Sequence, residues 1–424
     1  MMSRVLGSHI ALLVAAGLGS PAAADILLVN AEGTGQYPTI QAAVDAAVDG
    51  DEVQLIAGTY TGDGNRFVDF LGKAITLRSQ SGNPADVIVT PSDGMYELGR
   101  AFIFQSGETE LSVLEGITIS GGWADGPNDP AGIVRCIDAS PTIRNCVFEY
   151  NYGSALAFSG APLIQNCVFR DNFCIEGNGS GVNGSGNAII EDCTFTGNSG
   201  ENFGGAAFLA GATVRRCVFS ENGVYYSGGS IHGGALIEDC VFSNGGATYY
   251  GGFISGGGTI RRCFFEGGGA EQGGAIFGAG VIESCTFVEF WGHRWGDAIT
   301  VFAGAHATIM NSIIAFGHCY CNQDDMTPIH LREDATVDIL CTDIYGNEAG
   351  DWVGPISDQL GKNGNISADP LFCDRDAGAF TLFGNSPCAP AHSNGCGLIG
   401  LYDVGCEPSS VEAKSWGKIK GMYR

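Results

Sequence analysis

The chain has 424 residues, a formal net charge of −26 with only 16% charged side chains, 67 glycines and 16 cysteines. An apolar fraction of 45% is too high for an acidic disordered chain, and glycine follows no three-residue period. The charge argues against a nucleic-acid partner, because phosphate contacts need Lys and Arg. What remains is a large, glycine-rich, acidic protein, globular or solenoid.

The N-terminus reads as a secretory signal peptide over 1–24. Arg4 supplies the positive region, 10–18 is a short apolar run, and Ala22 and Ala24 give a small-x-small pattern before Asp25. That run is too short to span a bilayer, no later stretch is apolar enough, and no transmembrane segment is expected. Export to the periplasm, the cell surface or the medium is expected, and an oxidising compartment allows many cysteines. Residues 25–50 read as an N-terminal cap. Ile40, Ala43, Val44 and Ala47 fall at helical spacing and Gly50 is a stop, which predicts one short amphipathic helix.

From 51 to 343 the chain repeats. Ile143, Cys146 and Phe148 recur as Ile164/Cys167/Phe169, Ile190/Cys193/Phe195, Val214/Cys217/Phe219, Ile237/Cys240/Phe242, Ile260/Cys263/Phe265 and Ile282/Cys285/Phe287. The cysteines are 21, 26, 24, 23, 23 and 22 residues apart, and Ser312 continues the column. A glycine column precedes them, read as Gly204–Gly205, Gly233–Gly234, Gly251–Gly252 and Gly273–Gly274. Each unit holds short apolar or β-branched runs between Gly, Asn, Asp and Ser, which favour turns. Such a unit cannot bury a face alone, but stacked copies share a core, with parallel strands about 4.8 Å apart. The expectation is an all-β parallel solenoid of roughly 11–13 coils. Cys146 and Phe148 share a parity that Ile143 lacks, so a bend at Asn145, a residue type tolerant of left-handed backbone, would turn all three inward. Residues 344–406 read as a cysteine-containing C-terminal cap and 407–424 as a basic tail.

The segments Tyr37-Pro-Thr-Ile-Gln-Ala-Ala-Val-Asp-Ala-Ala, Gly50-Asp-Glu-Val-Gln-Leu and Gly58-Thr-Tyr60 resemble the opening of secreted right-handed parallel β-helix proteins of the pectin-lyase-like superfamily. The Cys-x-Phe and glycine columns resemble coils of bacterial surface β-helices, including polymorphic outer-membrane proteins. The resemblance implies a right-handed parallel β-helix. It leaves function open, since that fold hosts lyases, hydrolases, esterases and non-enzymes. No stretch matches the calcium-binding aspartates and arginine base of the lyases or the aspartate cluster of the hydrolases. The leading expectation is an exported, non-catalytic protein that binds glycan or another cell-surface partner. A polysaccharide lyase or hydrolase is the alternative, and a purely structural envelope component the third reading.

Several residue groups are candidates for chemistry. His293, Arg294 and Asp297, with His318 about one coil on, could do acid–base work. Asp374 and Asp376 have alternating oxygens suited to Ca2+, though no cofactor is required. The alternating columns Glu191, Arg215, Glu238, Arg261, Glu283 and Asp192, Arg216, Asp239, Arg262 read as a stabilising charge ladder. The cysteine file reads as stacked free thiols, with Cys319, Cys321, Cys341, Cys373, Cys388, Cys396 and Cys406 as disulfide candidates. An aromatic precedes the glycine column in most coils: Tyr152, Phe203, Tyr226, Tyr250 and Trp295, with Gln272 in the remaining one. Together with Tyr225, Tyr249, Trp291, Glu271 and Arg294 these predict a glycan-binding corner; a stack that merely covers the turn is the plainer reading.

Overall fold

A computed structural model describes residues 24–92, 98–124, 132–175, 177–295, 298–319 and 327–406, of which Trp295 and Cys319 are described in backbone only. The expected basic tail, and the signal peptide apart from Ala24, lie outside the described residues. The chain is a parallel β-solenoid. Among the described residues one face is a 12-stranded sheet, with a strand from each coil after the first, and the other faces join into a 28-stranded sheet. A representative coil runs through a short strand Gly223–Val224, a long strand Ile231–Glu238 and a strand Val241–Ser243.

The inward turn expected at Asn145 is present and repeats. Asn145, Asn166, Asp192, Arg216, Asp239, Arg262 and Ser284 all adopt left-handed backbone, with φ of 55°, 52°, 56°, 54°, 56°, 51° and 54°. Asn and Asp accept this geometry readily; Arg216 and Arg262 do so because the stack fixes the bend. On either side of each bend Ile143, Cys146 and Phe148 and their counterparts are buried together. Phe148 stacks on Phe169 at 4.7 Å with planes 5° apart, and the file continues to Phe265 on Phe287 at 4.6 Å and 2°. The seven thiols beside it are free and buried. Each meets the carbonyl two residues back, as Cys193 meets Glu191 at 3.2 Å, and Ser312 makes the same bond to Met310 at 2.8 Å.

A second interior file consists of asparagines. Asn151, Asn172, Asn198 and Asn222 are buried. Asn172 Nδ2 donates to Asn198 Oδ1 (2.9 Å) and to the Phe148 carbonyl (2.9 Å), and Asn198 Nδ2 repeats this with Asn222 and Phe169. The file stops where Gly245 and Gly268 occupy the position. A Cβ at Gly245 would lie 2.6 Å from the Phe253 ring, so that ring fills the space two asparagines would need.

The helix Ile40–Ala46 is capped by Thr39 and buries Ile40, Ala43 and Val44. The solenoid begins before it: Ile26–Val29 pairs in parallel with Glu52–Leu55, inside the segment read from sequence as cap alone. At the other end Ile366 bridges to Asp343 and Trp352 Nε1 donates to the Ile366 carbonyl. The chain then doubles back over the outside of the 12-stranded sheet. Phe380 and Tyr402 lie 4.9 and 5.4 Å from Phe264, a side chain on the outward face. Disulfides Cys341–Cys396 and Cys373–Cys406 hold this strap. Cys388 is free and buried against Asp343 at 3.2 Å. Cys321 lies outside the described residues.

The charged columns differ from the continuous ladder expected. Arg215 and Arg216 both bond Glu191, and Arg216 also bonds Asp192 at 2.8 Å; Arg261 and Arg262 bond Glu238, and Arg262 bonds Asp239 at 2.7 Å. The two arginines of a coil turn back onto the acids one coil earlier. The columns therefore divide into two compact quartets.

Candidate functional site

The outward side chains of the long-strand face form one column. Parallel register aligns Arg135, Ala157, Asn183, Phe208, His232, Ser255, Phe277 and Thr300, one per coil. Beside it lies a patch with almost no side chains: Gly233, Gly234 and Ala235 over Gly256, Gly257 and Gly258 over Gly278, Ala279 and Gly280. Many of these glycines are required by the backbone. At Gly233, Gly256, Gly258, Gly278 and Gly280 a Cβ would run into a carbonyl oxygen of the preceding coil. Beyond the glycines stand Thr213, Leu236, Thr259 and Val281, then the arginine–glutamate quartets. The result is a shallow trough along the solenoid axis, with a backbone floor, one aromatic wall and one aliphatic wall.

The aromatic wall is continuous with the corner before it. Phe203 lies 4.6 Å from the His232 ring and 5.2 Å from Tyr226; Tyr226 is 5.7 Å from Tyr250, and Tyr250 is 4.6 Å from Phe277. His232 stacks on Phe208 at 5.4 Å, and Phe302 meets Phe277 edge-on. Tyr225 is 58% and Tyr226 42% exposed, whereas Phe277 is buried beneath its neighbours and Arg332. Upstream, the same column opens into a cavity of about 300 Å³ lined by Arg135, Phe158, Ser159, Asn183, Ser185 and Phe208. Burial pushes the His232 imidazole down to about 4, so the ring is neutral at ordinary pH.

The register corrects the aromatic column read from sequence. The left-handed glycines aligned in the stack are Gly204, Gly228, Gly251 and Gly273. Gly233–Gly234 belongs to the trough floor instead. The column before them is Phe203, Ser227, Tyr250, Gln272 and Trp295, and Tyr226 sits one residue earlier, outside the column but against its rings. Tyr152 belongs elsewhere, at the start of the strand Tyr152–Phe158, where it pairs with the short strands of its neighbours, stacked on Trp123 at 3.7 Å and edge-on to Phe173. Glu271 is held by Arg294 at 3.3 Å. Sequence reading missed Phe208, His232 and Phe277. Each lies four residues after the first glycine of a correctly aligned pair, as does Ser255, and that spacing was the signal available.

The acid–base group is not assembled as expected. Asp297 lies outside the described residues, His293 is exposed, and Arg294 is committed to Glu271. His318 pairs in register with Trp291, not with His293. Its ring stacks on Trp291 at 4.3 Å, while Nε2 meets Glu289 at 2.7 Å and Nδ1 meets Glu348 at 3.2 Å. Burial pulls this imidazole down, but the two carboxylates outweigh it and its pKa ends above the ordinary value. With Arg375 also on Glu289 at 3.5 Å, the cluster fastens the strap to the coils. Asp374 caps the turn Arg375–Ala377 by accepting from Ala377 N, and Asp376 is exposed. Among the described residues no three His, Cys, Asp or Glu side chains are grouped to hold a metal ion.

No curated protein matches the chain. Among solved structures it is similar to a PL6 family alginate lyase, AlyGC, at 16% identity and a TM-score of 0.48, over 90% of this chain and 57% of that one. It is also similar to the pectate lyase Pel9A (13%, TM-score 0.43, 91% and 97%) and to the catalytic domain of a GH87 alpha-1,3-glucanase (11%, TM-score 0.40, 75% and 66%). The chain thus spans little more than half the length of that alginate lyase. The family model described as the right handed beta helix region matches residues 60–219 and 204–328, across the coils that carry the trough, and the chain belongs to that right-handed β-helix family.

Proposed function

We propose that the protein is an exported, non-catalytic β-helix that binds glycan along the trough. The observation that carries this is the aromatic wall joined to an exposed tyrosine corner. Phe203, Phe208, His232, Tyr226 and Tyr250 offer ring faces beside a flat backbone floor. A sugar ring has an apolar face bordered by hydroxyls, and such a wall meets both. Export fits two disulfides in the strap, which persist in oxidising compartments. Among the described residues no helix is long and apolar enough to cross a membrane.

The test is affinity electrophoresis of the full chain through gels carrying different polysaccharides, with product assays for unsaturated and reducing ends. Retardation without products is expected. Tyr226→Ala, at an exposed ring, should weaken retardation and leave Tm unchanged. Tyr250→Ala removes a half-buried ring packed on Phe277 and should lower both. Chain cleavage would move the protein to the lyase or hydrolase reading. Absence of retardation by every polymer would remove the proposal.

A further inference from the structure

We infer that the trough takes an uncharged, hydroxyl-bearing glycan strand rather than a polyuronate, with His232 as the side chain that hydrogen-bonds a sugar hydroxyl. This rests on the glycan-binding reading and names the class of ligand.

Charge is the first argument. A polyuronate carries a carboxylate on every sugar, so a strand lying along the axis needs a cation in nearly every coil. The trough supplies Phe208, His232, Ser255 and Phe277 in successive coils. Its arginines are already matched. Arg215 and Arg216 face Glu191 and Asp192, and Arg261 and Arg262 face Glu238 and Asp239, so each quartet is neutral. Arg332 sits over the Phe277 ring at 5.8 Å, and Arg135 lies upstream, at the cavity. Glu283 adds a carboxylate in the coil after Arg261. A chain of net charge −26 adds long-range repulsion toward any polyanion.

The second argument is His232 itself. The half-buried ring lies between Phe203 and Phe208, and its Nδ1 is buried without a hydrogen-bond partner. An unmade bond of this kind costs stability. Phenylalanine at this position would extend the ring cluster without that cost. Nδ1 is closed to any ligand, so the contact outside the chain that would explain an imidazole here falls to the other ring nitrogen, Nε2. With Nδ1 buried, the neutral ring presents Nε2 alone, as donor or acceptor to one hydroxyl, and burial disfavours the protonated form that would add a charge for a carboxylate.

The experiment compares laminarin, galactomannan, xylan and pullulan with alginate and polygalacturonate, using the full chain at low and high salt. At least one neutral polymer should bind, equally at both salts, and neither polyuronate should. His232→Phe should weaken that binding about tenfold or more while holding or raising Tm, and His232→Gln should restore part of it. Binding to a polyuronate that falls with salt would overturn this inference and leave glycan binding standing. No binding to any polymer would remove both. Unchanged affinity in a folded His232→Phe would remove the role given to His232.

Discussion

Replacing Asn198 by alanine should cost more than its small volume suggests. The side chain sits in the middle of the interior asparagine file. Its Oδ1 accepts from Asn172 Nδ2 at 2.9 Å and from the Asn172 backbone N–H at 3.3 Å, and its Nδ2 donates to the Phe169 carbonyl at 2.8 Å. Asn198→Ala leaves these three groups of the preceding coil short of a partner in a buried setting. Each such group costs about 1–3 kcal/mol, so the expected loss is about 3–9 kcal/mol. Urea unfolding followed by circular dichroism measures it as a shift of the midpoint at constant slope. Asn198→Asp is the near-isosteric control: it sets an acceptor against the Phe169 carbonyl and Asn222 Oδ1 and should be at least as damaging at neutral pH. A loss below about 1 kcal/mol for Asn198→Ala, the range of an ordinary exposed hydrogen bond, would refute the view that the file is a coupled network. The boundary of the file provides a converse. Gly245→Asn should destabilise because the Phe253 ring occupies its space, and Phe253→Ala in the same chain should relieve the strain.

Asp343 is buried, and that burial raises its carboxyl to about 7 from 3.8. Its stabilising proton is fully present below the unfolded value and lost as pH rises through about 7, so Asp343→Asn should gain on the order of 4 kcal/mol at slightly alkaline pH and little in acid. A Tm gain independent of pH would contradict this. Arg215→Glu sets an acid against Glu191, whose side chain is only 9% exposed. It should cost about 1–2 kcal/mol after solvent screening at the arginine, and less in high salt; a loss equal at both salts would exclude the electrostatic account. Titration of the denatured, unreduced protein should find free thiols from the file Cys146 to Cys285, and finding none would mean that the file is cross-linked.

The solenoid was legible because its repeat writes one residue type into one place in every coil. Ile143, Cys146 and Phe148 announce a shared inward corner, and the bend at Asn145 follows from parity alone. The asparagine file was equally regular, three residues after each ladder phenylalanine from Phe148 to Phe219, but a polar residue beside glycine reads as a turn until its buried partners are seen. The trough was harder. Its wall is set by register, and the coil with glycines at 228–229 and again at 233–234 permits two alignments. With the second taken, Ser227 is not recognised as the residue before this coil's aligned glycine, Tyr226 enters the column by its spacing from the other aromatics, and His232 goes unread. Tyr152 was misplaced because spacing in multiples of a coil does not reveal which face a residue occupies. The direction of the arginines could not be read either, since a column fixes neighbours but not which neighbour a flexible guanidinium prefers.

The strap disulfide Cys341–Cys396 encloses a sequence separation of 55 residues and reaches into the last coils. Its consequence appears under mechanical load. Pulled by its two termini, a stack of this kind should yield one coil at a time from the N-terminal end. Each coil of about 23 residues would release roughly 80 Å of contour length at about 3.4 Å per residue. The C-terminal end cannot feed chain in the same way, because tension there is carried through a covalent loop instead of through hydrogen bonds. The protein is thus a ratchet with one open end, and reduction of that bond should add a final extension that the oxidised chain does not show.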